Sequence, residues 1–264
     1  NDQGTVQADR GVYVGAAAEA SANGTVNVNA GGKLLAQEVV VGNAQYSNGS
    51  LTVSGANARV DADKVWIGSS GNGTLRVDNG GVLRGTTEVI AERYDGIGTG
   101  NLDQTGSITV SGAGSAIEGG IVRATNHLLI ENGGAIRSDT ARIKDSFGPV
   151  ATTGTATITG AGSEWTNNGL MDIRTGVDIL DGGVLRSDTI GINGGLNSET
   201  LKLEVVHEQV RVSGTGSQLL ANNGITVGRN LTSEPIGVLR VSHGGHHHRR
   251  GAAILCGRPN PTGS

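Results

Sequence analysis

The sequence predicts an all-β chain wound as a parallel β-helix, a solenoid of about nine or ten coils. Three observations predict it. The phrase "NGGAIRSDT" (132–140) returns almost unchanged as "DGGVLRSDT" (181–189), and "AGGKLLAQE" from Ala30, "NGGVLRGTT" from Asn79 and "HGG" from His243 share its form. A second phrase alternates with the first: "TVSGANARV" from Thr52, "TVSGAGSAI" from Thr109, "TITGAGSEW" from Thr157 and "RVSGTGSQL" from Arg211. A catalytic motif is needed once, whereas a unit that stacks on its own copies is needed many times. Third, glycine supplies 46 of 264 residues and aromatics only 2 %, so no compact core of bulky rings is available. The apolar residues are mainly Val, Ile, Leu and Ala, and the β-branched ones suit a pleated strand.

Each half of the unit opens with an apolar pair two residues apart. In order these are Val26/Val28, Leu51/Val53, Leu75/Val77, Ile108/Val110, Leu128/Ile130, Ala156/Ile158, Val177/Ile179, Val210/Val212 and Leu239/Val241. Residues i and i+2 of a strand share a face, so each pair points into one core. A turn follows, SGxGS or xxGG, then one or two further apolar residues. A second pair closes the unit: Val39/Val41, Val65/Ile67, Val89/Ala91, Ala141/Ile143, Met171/Ile173, Ile190/Ile192 and Ile225/Val227.

Successive opening pairs are 25, 24, 33, 20, 28, 21, 33 and 29 residues apart, so about 20 residues make a coil. The excess lies in polar inserts at 93–105, 144–153, 193–208 and 229–235. All follow the second pair, so they are expected to leave one edge of the stack. One coil cannot bury its inner face, but stacked coils share a continuous core. At ~4.8 Å per level the rod would be on the order of 45 Å long. A β-propeller is the rival reading, since its repeat also runs to about 50 residues. The doubling of the unit and the lack of a regular aromatic argue against it.

Residues 1–245 read as a single β-helix segment. Residues 246–264 lack the strand phrase and carry the lone cysteine, Cys256, so they read as an atypical, non-native tail. No cap, initiator Met or signal peptide is evident, which reads as a segment of a longer rod. The net charge of −4 gives no reason to expect nucleic acid, and no stretch has the roughly 20 apolar residues of a membrane helix.

The phrases "GSITVSGAGSAIEGG" with "NGGAIRS", and "GTATITGAGSEWTNNGLMDI" with "DGGVLRSD", resemble the repeats of bacterial autotransporter passenger domains over residues 4–245. The resemblance implies a right-handed parallel β-helix exported through the outer membrane of a Gram-negative cell and displayed outside it. It also implies an adhesin or autoaggregation role, often linked to virulence. Partners would be a host or abiotic surface, a glycan, or passenger copies on neighbouring cells. The membrane would be met only through a C-terminal barrel that this sequence does not contain. A polysaccharide-active β-helix enzyme and an inert spacer are the other two readings.

Candidate binding residues form a surface stripe. Arg84, Arg137 and Arg186 share one offset from their Gly-Gly and occupy alternate coils, about 9.6 Å apart. Arg137 with Asp139, and Arg186 with Asp188, are i, i+2 neighbours able to form surface ion pairs. The stripe is either a solvated face or a site for a polyanionic glycan or another copy. Trp66, between Val65 and Ile67, should face outward and is the candidate for stacking on sugar. Trp165 aligns with Val60, Ile117 and Leu219 and should face inward. Asn79, Asn132 and Asp181 read as turn formers. His243 and His246–His248 could hold a transition metal only adventitiously. No nucleophile, phosphate-loop or zinc motif appears, so no catalytic residue, cofactor or metal is expected.

Overall fold

A computed structural model describes residues 4–16, 21–91, 106–125, 127–143, 155–193, 195–196, 203–204, 210–228, 238–242, 246–249 and 254–256. The chain is a parallel β-helix built on two stacked sheets. The broad sheet runs through Thr5–Val14, Lys33–Val41, Arg59–Ile67, Val82–Ala91, Ala116–Ala124, Ala135–Ile143, Glu164–Ile173, Val184–Ile192 and Gln218–Val227. These are levels one to nine. The narrow sheet runs through Asn23–Val28, Asn48–Ser54, Asn72–Asp78, Gly106–Ser111, His127–Glu131, Thr155–Thr159, Gly176–Leu180, Val210–Ser213 and Leu239–Val241. Successive strands alternate between the sheets, and every neighbouring pair within each sheet is parallel. A propeller blade would instead hold successive strands in one sheet.

Register follows the apolar pairs. In the narrow sheet Val26 lies beside Leu51, Leu51 beside Leu75, and the row continues through Ile108, Leu128, Ala156, Val177 and Val210 to Leu239. The row through Val28, Val53 and Val77 runs alongside it. A one-residue slip would turn both rows into solvent, so the hydrophobic pattern fixes the stacking. Leu51, Leu75, Ile158 and Ile179 are wholly buried, and each such side chain contributes about 1.5–3 kcal/mol relative to exposure.

The broad strands show what the pattern left indistinct. The "further apolar residues" and the second pair belong to one strand that bends. In Arg59–Ile67 the inward residues are Val60, Ala62, Val65 and Ile67, with Asp63 and Lys64 both outward between them. Two successive outward residues make a corner, and the register shifts at this point on several levels. Trp165 lies in the inward row with Ile136 and Leu185 on either side and is wholly buried, as its alignment predicts.

The alternation of the two phrases has a hydrogen-bonding cause. In each NGG or DGG turn the first two residues have positive φ: Asn79 and Gly80, Asn132 and Gly133, Asp181 and Gly182. Asn and Asp tolerate that region better than other side chains. The last serine of the following SGxGS turn then accepts from the middle glycine: Gly80 N–H to Ser115 Oγ at 3.0 Å, Gly133 N–H to Ser163 Oγ at 3.1 Å, and Gly182 N–H to Ser217 Oγ at 3.1 Å. Asn79 and Asn132 donate the other way, to Ser54 Oγ at 3.2 Å and Ser111 Oγ at 3.1 Å. The two turn types interlock, so each needs the other on adjacent levels.

The four inserts fall almost wholly outside the described residues. Their starting points do not: Ala91, Ile143, Ile192 and Val227 belong to one row of the broad sheet, joined through Ala124 and Ile173. All four therefore begin at the same place on the coil. Within the third, Gly195–Leu196 pairs antiparallel with Leu203–Glu204. At the C-terminal end, His246–Arg249 and Ile254–Cys256 pair in parallel with Gln218–Ala221 and Ile225–Val227, adding a tenth level to the broad sheet. Residues 246–249 and 254–256, an atypical tail by sequence, thus carry strands of the broad sheet. His243 lies outside the described residues.

Candidate functional site

The outward row just before the corner contains the predicted arginines. It runs Leu35, Asp61, Arg84, Glu118, Arg137, Thr166, Arg186, Leu220 from level two to level nine. Arg84, Arg137 and Arg186 stand two levels apart, as their offset implies. The intervening positions were missed, although each follows an aligned inward residue: Glu118 follows Ile117 and Thr166 follows Trp165. Between Asp61 and Arg137 the row alternates in sign. Arg137 Nη1 lies 3.8 Å from Glu118 Oε1. Among the described residues, Arg84 and Arg186 have no ion-pair partner.

The expected Arg137–Asp139 and Arg186–Asp188 pairs are not formed. The strand bends at the second member of each pair, so the aspartates stand at the corner and face the next level. Asp139 Oδ1 accepts from Asn168 Nδ2 at 3.2 Å, and Asp188 Oδ1 from Asn222 Nδ2 at 2.7 Å. Asp63 at level three likewise accepts from Thr86 Oγ1 at 2.9 Å. Side-by-side i, i+2 ion pairs do occur within straight runs: Arg59 Nε to Asp61 at 2.6 Å and Arg76 Nε to Asp78 at 2.5 Å.

Three of the six predicted residues share a cavity. Arg84, Arg137 and Asp139, together with Thr86, Glu118 and Asn168, line an open space of about 220 Å³ at the corner. Its depth comes from Gly120, an outward corner position of level five. Gly120 falls beside Asp139, so the first of the two corner positions of level five carries no side chain, while Ile121 occupies the second. A Cβ on Gly120 would meet the Thr87 carbonyl oxygen at 2.8 Å. On the other side of Arg137 a second space of about 160 Å³ is lined by Ala116, Ala135, Glu164 and Thr166. Arg186, Asp188 and Trp66 line neither.

Trp66 points outward, as expected, but is only half-exposed. It lies beyond the corner, in a row with Tyr13, Val40, Ile90, Arg123, Arg142 and Asp172. Its neighbours Val40 and Ile90 are 6 % and 2 % exposed despite their outward positions. Asp172 is held by Arg142 at 3.3 Å, Arg174 at 2.9 Å and Asn193 Nδ2 at 2.9 Å. Asp178 is held by Arg211 at 2.9 Å. These carboxylates are neutralised in place. Among the described residues, Asp78 is the one carboxyl held below its usual range: burial pushes it up, and the Ser54 hydroxyl, Arg76 and Asn79 more than offset that. Among the described residues no three His, Cys, Asp or Glu side chains gather as a metal site would require.

No family model, curated protein or solved structure matches this chain.

Proposed function

We propose that this chain is a segment of an autotransporter-like passenger rod, displayed outside a Gram-negative cell, that serves attachment or cell–cell aggregation. The observation that carries the reading is the placement of variation. Four polar inserts of different length interrupt the coil at one junction, while the interior rows continue unbroken through Ala124, Ile143, Ile173 and Ile192. A stack that holds its core constant and varies one edge suits a rigid stalk presenting loops, with many weak contacts adding by avidity. Partners under this reading are a host or abiotic surface, a glycan, or another passenger copy.

The test is to display the segment on a cell that does not aggregate. Clumping or surface attachment is the expected result, and neither occurring would refute the proposal. A second reading, a polysaccharide-active enzyme, is favoured by one observation: Glu118 and Asp139 line the same open cleft. Glycoside hydrolysis commonly uses two such carboxyls. Release of reducing ends from a polysaccharide, lost in Glu118→Gln and Asp139→Asn, would replace the first reading with this one.

A further inference from the structure

We infer that the two spaces flanking Arg137 form one transverse cleft that binds a neutral, hydroxyl-rich saccharide segment. This deepens the attachment reading and rests on it for the premise that the rod meets glycan-bearing surfaces.

The cleft exists because levels five and six are built from small residues. At the start of the broad strands, Lys33, Arg59 and Val82 give way to Ala116 and Ala135 before Glu164 resumes. At the corner the chain carries Gly120, beside Asp139 of the next level and with its Cβ position 3.0 Å from the Thr86 carbonyl oxygen of the level before. The result is a trough crossing the rod along the strand direction, with Arg137 in its middle. Ala116 forms floor and is 5 % exposed.

The walls decide the ligand. Arg84 and Arg137 are balanced by Glu118 and Asp139 in the corner half, and Glu164 adds a further carboxylate in the other half. A polyanion therefore gains no net attraction here, contrary to the expectation from the arginines alone. What the walls offer is planar donors and planar acceptors side by side. A guanidinium presents paired N–H groups and a carboxylate paired oxygens, each able to engage adjacent hydroxyls of a sugar ring. The guanidinium capacity is unspent: Arg84 has no ion-pair partner among the described residues, and Arg137 reaches Glu118 only at 3.8 Å, beyond hydrogen-bond distance; Asp139 and Glu164 each accept one hydrogen bond, from Asn168 and Thr166, and keep a second oxygen. With no aromatic face in the cleft, single-site binding should be weak, and stacked copies would supply avidity.

The experiment is an NMR titration following the backbone amides of Gly119, Gly120, Ala135 and Arg137. The probes are maltotetraose, cellotetraose and mannotetraose, against a heparin tetrasaccharide and a Gly-Ser peptide. At least one neutral tetrasaccharide should shift these amides with a Kd on the order of 1 mM, unchanged by added salt because no net charge is neutralised. Arg137→Ala should weaken binding roughly tenfold through loss of the central donor. Ala135→Gln, which fills the trough without changing charge, should do the same, and Arg186→Ala should leave it unchanged. Thermal melts of each variant report whether the fold is kept. The assignment is overturned if no neutral probe shifts these amides by about 20 mM, if the heparin fragment or the peptide binds more tightly, or if Arg137→Ala and Ala135→Gln bind like the parent. Sugar binding without cell attachment would sink the attachment reading alone. Attachment that survives both substitutions would sink the cleft alone.

Discussion

The indole N–H of Trp165 donates to Ser138 Oγ at 3.0 Å, inside the coil, from one level to the next. The Ser138 hydroxyl donates to Asn167 Oδ1 at 2.8 Å, Asn167 Nδ2 donates to Ser187 Oγ at 2.9 Å, and Ser187 Oγ donates to the Gly169 carbonyl at 2.8 Å. Ser138, Asn167 and Ser187 occupy the inner corner row that holds Ala36, Ala62, Gly85 and Gly119 at earlier levels. A polar chain thus replaces small residues where Trp165, the one aromatic buried in the interior among the described residues, must be accommodated.

Removing Ser138 should expose the dependence. Ser138→Ala leaves a buried indole N–H without its acceptor and is expected to cost about 1–3 kcal/mol. Trp165→Phe alone leaves a hydroxyl short of a donor. Combined with Ser138→Ala it should cost less than the sum of the two, and urea midpoints of the four proteins measure that coupling.

The serine staples between turns predict a stepwise loss. Ser115→Ala, Ser163→Ala and Ser217→Ala each remove the acceptor of a neighbouring Gly N–H, at about 1 kcal/mol apiece. The three staples sit on alternate levels with no shared partner, so the triple variant should lose about 3 kcal/mol. Denaturant unfolding checks both the single values and their sum.

Backbone conformation separates two substitutions at one position. Asn132 has φ 53°. Asn132→Ala should destabilise the fold by about 1–2 kcal/mol, since Ala resists the left-handed region. Asn132→Gly should cost less, although it loses the bond to Ser111 Oγ. Thermal denaturation of the pair distinguishes strain from the lost hydrogen bond.

Asp78 predicts an acid limb. Its folded pKa lies below the ordinary value of 3.8, so the folded chain holds the ionised form more tightly than the unfolded chain does. That contribution is fully present above the ordinary value and disappears as pH falls through the depressed one. Asp78→Asn should therefore flatten the stability profile in the acid range. An unchanged acid limb in the variant would show that Asp78 does not set it.

Much of the fold was legible because a solenoid writes its contacts into its period. All nine opening pairs stack in the order and register that the sequence implies, from Val26 to Leu239. Arg84, Arg137 and Arg186 fall two levels apart for the same reason. The candidate site was only half legible. Glu118 could have been placed beside Arg137 from the alignment of Ile117 with its counterparts. The failure of Arg137 to meet Asp139 could not, because a strand bend is invisible to a count of two residues.

What the sequence determined by itself is the stack: alternating aliphatic pairs have one way to become buried, and each coil must lie parallel on the last. What only the tertiary structure decided is the surface. Where a broad strand turns its corner, consecutive residues both face out, and side chains close in sequence part while those on neighbouring levels meet. The cleft at Gly119 and Gly120, the Asp139–Asn168 contact and the Ser–Gly staples all arise from that lateral proximity, which depends on distance across the stack and not along the chain.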